Sequence, residues 1–404
     1  MLQPQLASPI LIVVTVLLLS LVPAGAAPPQ YTLTDLGPDS NIRAIAPDTT
    51  MTVGARQSLA TVFYPTTIPL GALPEGTLSL ANGAHGQTVV GYTTLGPLGL
   101  STHGFRWTPA RGMEDLGTTG APDLFSAAVA LNAAGSIIGY ADTPDRARIV
   151  AVRWVNDAIT ALPSLTLGHA FGSAINEAGD SVGTAITAEG QGHAVLWPVE
   201  GGIVDLHTLG WASVGLGLTA DGQVIGTVSG AEPGDRGFVW VPLTGMLLLP
   251  PVAGDSQSYA TAINDAGVII GESALPDPEG ARRLHQAAVR WDNGVPTDLN
   301  TLVTHGEGWV LQRATGINDA GVIVGIGTKD GQPHGWVLSP LTPEGASPAR
   351  ALDAETHQQA QRGTRQTLQA LREAQQTESQ ILRGAPPLDR ESQRLLKLLV
   401  QPPW

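Results

Sequence analysis

A short list of residues in this chain has the types and spacing that chemistry needs. Gly179-Asp180-Ser181-Val182-Gly183 spells the nucleophile elbow G-x-S-x-G. That motif works only on a strand-turn-helix corner. Here Ser181 falls at the same place in a recurring phrase as Ile269 and Ile323, so it reads as a strand residue and no catalytic residue is expected. Gly215-Leu216-Gly217 is a fragment of a glycine-rich loop without the further glycine or helix that phosphate binding requires. Glu177, Asp221, Asp265 and Asp319 recur beside turns. Calcium would need six to eight oxygens converging on one point. Carboxylates on successive units of a ring stand apart, so turn chemistry is the expectation and no metal is expected. His103, His193 and His334 share one repeat position in the second, fourth and seventh units, too far apart for a zinc site, and are expected to be structural. His169, His207, His285 and His305 follow no repeat rule, and a site is grafted where the repeat is broken. The candidate binding residues are therefore Arg282, Arg283, His285, His305 and Trp309, on two irregular stretches. No cofactor is expected.

The element that must position all of these is a phrase that returns along the chain. Ile263-Asn264-Asp265-Ala266-Gly267-Val268-Ile269-Ile270-Gly271 reappears as Ile317-Asn318-Asp319-Ala320-Gly321-Val322-Ile323-Val324-Gly325. Ile175 begins a third copy, Leu131 a fourth and Leu218 a fifth, and two worn copies end at Gly91 and Gly54. Apolar β-branched residues flank an Asn-x-x-Gly break. Asn bonds its own main chain and Gly supplies positive φ, so the phrase predicts a β-hairpin. Its final glycines, Gly54, Gly91, Gly139, Gly183, Gly226, Gly271 and Gly325, are spaced by 37, 48, 44, 43, 45 and 54 residues.

After each hairpin comes a strand ending in an aromatic residue, as in Gly104-Phe105-Arg106-Trp107, Val152-Arg153-Trp154 and Ala288-Val289-Arg290-Trp291. A fourth strand carries Asp-Leu at Asp115-Leu116, Asp205-Leu206 and Asp298-Leu299. Four strands in about 45 residues is one propeller blade. One Trp per blade is expected between sheets, each stabilising by about 2–3 kcal/mol. Tyr31-Thr32-Leu33-Thr34-Asp35-Leu36-Gly37 reads as a fourth strand with no first three before it, and the last unit lacks a fourth. The expected fold is all-β: a seven-bladed β-propeller closed by its N-terminal strand, which removes the open sheet edges, followed by a C-terminal α-helical tail.

The run I-N-x-A-G-x-V-V-G, then H-A-F/V-x-W, then D-L, resembles the HAF-repeat family of bacterial extracellular repeat proteins over residues 31–341. The resemblance implies export and a propeller-like fold, and no activity. The chain departs from the pattern in keeping the histidine only at His103-Gly104-Phe105, His193-Ala194-Val195 and His334-Gly335-Trp336, with Arg236 in its place in the fifth unit.

Composition sets the bounds. The chain has no cysteine, which excludes a disulfide scaffold and thiolate metal sites. Residues 27–341 hold 28 acidic and 13 basic side chains, and residues 342–404 hold 7 and 8. An acidic body argues against nucleic acid as a partner. Residues 10–22 are an apolar run followed by Ala24-Gly25-Ala26, which reads as a cleavable export signal over 1–26. Residues 27–341 are then the propeller. Residues 342–404, opened by Ser347-Pro348 and rich in Ala, Gln, Arg and Leu, read as helical. The hairpin turns and the turns after each Trp must share one face, and the long stretches 95–102, 141–149, 273–286 and 303–312 the other. The function expected is an extracellular or periplasmic, non-enzymatic module binding protein or glycan on that second face. The alternatives are a propeller enzyme acting on extracellular glycan, and a structural envelope protein associating through its tail. A membrane enters only through an uncleaved signal or an interfacial tail.

Overall fold

The computed structural model describes residues 29–341 apart from 97–100, 167, 208, 231–233, 243 and 278–282. The export signal and the helical tail expected from the sequence lie outside these residues, as does Arg282.

Seven antiparallel sheets follow one another: residues 41–71, 76–115, 126–161, 170–205, 212–248, 257–298, and a seventh built from 309–340 with the N-terminal strand. We number these blades 1 to 7. In each, the first strand is innermost. Neighbouring first strands pack on one another in a ring that closes where Asn41–Ile45 meets Trp309–Ile317. Closure occurs as the sequence predicts. Tyr31–Pro38 pairs antiparallel with Gln332–Pro340, Leu33 opposite Leu338. A feature not foreseen is the two-residue strand Val303–Thr304, which adds in parallel beside Tyr31 and covers the outer edge.

The phrase-ending glycines have a physical cause beyond turn chemistry. In every blade the first two strands slip register by one residue, as at Ala260/Ala262 opposite Gly271 and Ile270. This bulge aims an inner-strand carbonyl at the glycine. A Cβ at any of the seven glycines would stand 1.8–2.2 Å from that oxygen. The turn glycines are a different class: Gly267 has φ +78 and nothing near its missing Cβ.

Seven apolar clusters, one at each seam between blades, make up the core. Trp154, Trp197, Trp240, Trp291 and Trp336 are buried in them, with Phe63 in blade 1, while Trp107 is partly buried. The indole N–H groups of Trp154, Trp197 and Trp291 donate to Leu116, Pro163 and Pro250 carbonyls of the preceding blade at 3.0, 2.7 and 2.8 Å. Trp336 sits two residues early in its strand, opposite Gly325, and its buried N–H finds no acceptor among the described residues.

The described ends of the stretches 95–102 and 273–286 are strand, the first paired out to Leu95 opposite Ser101. Strand Ile269–Pro276 pairs with Arg283–Asp292 out to Pro276 opposite Arg283, so the charged insert begins as a β-arm. The extended backbone continues because ladder bonds satisfy its amides even beyond the last covered residue.

Candidate functional site

The antiparallel order gives the two ends of the propeller different jobs. Hairpin turns lie on one end, the turn face; connections between blades lie on the other, the loop face.

On the turn face the recurring asparagines hold neighbouring blades together. Asn264 Oδ1 accepts the Val268 N–H of its own turn at 3.0 Å, and its Nδ2 donates to the Asn318 carbonyl of blade 7 at 3.1 Å. Asn132, Asn176 and Asn318 repeat this with the Asn176, Thr219 and Thr49 carbonyls. In blade 5 Thr219 keeps only the bond within its turn. The carboxylates also act between blades: Glu177 accepts from Ala133 N, Asp265 from Ala220 N and Asp319 from Asp265 N. Asp221 alone among the four serves its own turn, accepting from Thr219 Oγ1 and Gln223. Among the described residues no group of three or more of these side chains is placed to hold a metal ion, yet side chains of different blades do approach one another at this face. His85 Nε2 of blade 2 lies 3.0 Å from Glu177 of blade 4, and its Nδ1 lies 3.8 Å from Asp48 of blade 1. Burial pushes the Asp319 pKa up, and the nearby charges of Asp265, Asp48 and Glu177 add to it.

The repeated histidines are structural, and the structure supplies the partner that the sequence left unassigned. His103, His193 and His334 place Nδ1 at 2.7, 2.8 and 2.8 Å from Asp115, Asp205 and Asp35. The histidine of the third strand locks to the aspartate of the fourth. Blade 5 replaces both, with Arg236 and Leu248, and blade 3 replaces both, with Val150 and Ala161. The Asp115 bond holds the His103 pKa above the usual imidazole range, against burial, which lowers it.

At the loop face a serine at the head of the inner strand clamps four seams. Ser126 Oγ accepts from Gly104 N at 3.0 Å and donates to Gly117 O at 2.7 Å. Ser79 and Ser258 do the same for blades 1 and 5. Ser213 accepts from Ala194 N and lies 2.7 Å from His207 Nδ1, in place of a carbonyl. His207 stacks on His193 with ring centroids 4.0 Å apart; burial, then the neighbouring His193, lower its pKa.

The candidate residues fall in two places. His285 Nδ1 bonds the buried Asp255 at 2.8 Å, and Arg283 opens the same strand. Trp309 stands in the closing blade, its ring edge-on to His334 with Lys329 Nζ 5.8 Å from its centroid. Lys329 and His334 both bond Asp35 of the N-terminal strand. His305 is exposed with φ 60, on the connection before Trp309. These contacts do not bring His285 and Trp309 into one site.

A third place on the loop face joins four rings across the seam of blades 3 and 4. Phe125 and Tyr140 are near-parallel with centroids 5.6 Å apart, and Phe171 and His169 near-parallel at 6.4 Å. The two pairs meet at an angle, Tyr140 and Phe171 being 5.4 Å apart and inclined by 72°. All but His169, which is exposed, are half-buried. Asp142 fixes Phe125, accepting its N–H at 3.1 Å and donating to its carbonyl at 2.9 Å. Ile149 N donates to His169 Nδ1 at 3.0 Å, so in the neutral ring the proton is on Nε2. Burial raises the Tyr140 pKa, Tyr92 adds to this and Arg43 opposes it, so the hydroxyl stays neutral. Where four other seams carry the clamping serine, this one has Ala170. Sequence reasoning singled out His169 but not its neighbours. The available signal was scarcity: the chain has 5 Phe and 5 Tyr, and three of those ten are in this row.

No protein-family model matches the chain, and no curated protein does. Among solved structures it is similar to a gluconolactonase from Xanthomonas campestris, at 11% identity and TM-score 0.36 over 78% of this chain and 95% of that one. TolB from Acinetobacter baumannii is 10% identical, with TM-score 0.40 over 75% and 64%. AofleA from Arthrobotrys oligospora is 12% identical, with TM-score 0.38 over 68% and 89%. At such identities a likeness is one of fold, and the chain's own strand pairing supplies the count: it is a seven-bladed, all-β propeller.

Proposed function

We propose that this chain is an exported, non-enzymatic propeller of the HAF-repeat type that binds protein or glycan through its loop face. One observation carries the reading: both faces fasten neighbouring blades, the loop face through Ser79, Ser126, Ser213 and Ser258, but the loop face also presents exposed side chains outside the repeat. On the turn face, asparagine amides and carboxylates are committed to bonds between blades. On the loop face stand side chains outside the repeat, among them Trp211 at 73% exposure and the exposed His305 and His169. A rigid frame with variable side chains on one end is how scaffolded binding surfaces are built. The acidic body favours neutral or basic partners over nucleic acid.

The test uses residues 27–404, isolated envelope fractions of the producing cell and its secreted polysaccharide. One fraction should retain the wild type and an Ala134→Arg turn-face variant, but not a Trp211→Ala/His305→Ala variant. Retention by no fraction, or loss only with the turn-face change, overturns the reading. Steady release of reducing sugar would favour an enzyme instead.

A further inference from the structure

We infer that the four-ring row of Phe125, Tyr140, Phe171 and His169 is a binding site for an uncharged saccharide. The inference rests on the loop-face reading and names its ligand. Two near-parallel ring pairs meet at 72°, making one continuous aromatic patch across the seam. A sugar ring has an apolar C–H face, which an aromatic face covers, and an edge of hydroxyls, which needs hydrogen-bonding groups. The row offers both. Phe125, Tyr140 and Phe171 are half-buried and His169 is exposed; Asp142 bonds the Phe125 backbone and the Ile149 amide bonds the His169 ring. A ligand therefore meets ordered rings, and little conformational entropy is lost on binding.

The polar handles match a polyol. Tyr140 Oη makes no hydrogen bond among the described residues, and as a neutral hydroxyl it both gives and takes one. His169 presents Nε2–H. The four rings carry no formal charge of their own; the Asp142 carboxylate beside them is engaged by the Phe125 amide, Arg43 lies near Tyr140, and the acidic body disfavours polyanionic chains. A proline-rich peptide also docks on aromatic walls, but its backbone offers mainly acceptors. It would use the donor side of Tyr140 and leave the acceptor side idle.

The row departs from the repeat in its combination. Ala170 stands where Ser79, Ser126, Ser213 and Ser258 clamp other seams. Phe171 stands where blades 3 and 5 have Ala127 and Val214 and blade 6 has Tyr259, and Tyr140 shares its place with Tyr92 of blade 2, but the four rings meet at this seam. The seam is still held below the rings, by Asn132 to the Asn176 carbonyl, Arg153 to Ser181, and Trp197 to the Pro163 carbonyl. The rings are thus spared from being its main fastening.

The experiment titrates residues 27–404 with soluble hexasaccharides of cellulose, chitin, β-1,3-glucan and mannan, and with a proline decapeptide, by calorimetry and saturation-transfer NMR. At least one hexasaccharide should bind, with ring protons of Phe and Tyr saturating its C–H protons. Phe125→Ala should weaken it by tenfold or more. Tyr140→Phe, which keeps the stack and removes the hydroxyl, should weaken it three- to tenfold, and His169→Ala by a similar factor. Unchanged melting temperatures for Tyr140→Phe and His169→Ala separate lost binding from lost folding. No saccharide bound, equal binding by the variants, or binding of the decapeptide alone overturns the inference. If the envelope fraction still retains all three variants, only this site fails and the loop-face reading stands. If that fraction retains none of the proteins, wild type included, the broader reading fails with it.

Discussion

Asn264 donates its Nδ2 to the backbone carbonyl of Asn318 across the blade 6–7 seam at 3.1 Å, while its Oδ1 holds the Val268 amide of its own turn. One amide does two tasks, because its donor and its acceptor sit on separate atoms at the tip of one planar group. Asn264→Ala orphans a buried N–H and a carbonyl and should cost about 2–3 kcal/mol. Asn264→Asp keeps the acceptor and loses the donor, beside Asp265 and Asp319. It should destabilise at least as much as Ala. Urea midpoints at matched slope decide this; a near-neutral Asn264→Asp would reduce the residue to turn chemistry.

The two glycines of the same phrase should respond differently to a methyl group. Gly271→Ala puts Cβ 1.9 Å from the Tyr259 carbonyl oxygen, so the bulge must give way. A loss of about 3 kcal/mol or more is expected, with blade 6 loosened. Gly267→Ala meets no atom and bears only the positive φ, costing about 1–2 kcal/mol. Thermal melts of the pair give the ranking, and equal losses would contradict the bulge account.

Two histidines should give stability a pH dependence of opposite sign. The His103 pKa is raised, chiefly by Asp115, so its contribution is full below the unfolded value near about 6.5 and lost as pH rises through the folded value. The His207 pKa is lowered, chiefly by burial, so its contribution is full above about 6.5 and lost as pH falls through the folded value. From pH 8.5 to 5.5, the melting deficit of His103→Gln should therefore grow and that of His207→Gln should shrink. Parallel trends would mean that one of the two is misplaced in this account.

Where the sequence was legible, one phrase repeats with its turn residues in register. Blade count, closing strand and buried tryptophans all follow from periodicity. What stayed hidden depends on which strands meet. His103 and Asp115 were visible as separate signatures, yet their bond needs the register of third and fourth strands. Ser126 looked like any serine, because its partners Gly104 and Gly117 belong to the preceding blade. The inward reach of His85 to Glu177 needs the ring radius, which no local pattern carries. The aromatic row joins the second strand of one blade to the first of the next, a contact that spacing along the chain does not encode.

The central claim is that the loop face, and not the turn face, binds the partner. A photo-reactive phenylalanine analogue tests this in the producing cell without knowing the ligand. It is placed singly at His169 and Trp211 on the loop face, and at Ala134 and Asn293 on the turn face, all exposed positions. Irradiation should give higher-mass adducts from His169 and Trp211 and none from Ala134 or Asn293. Adducts from the turn-face positions alone would contradict the account.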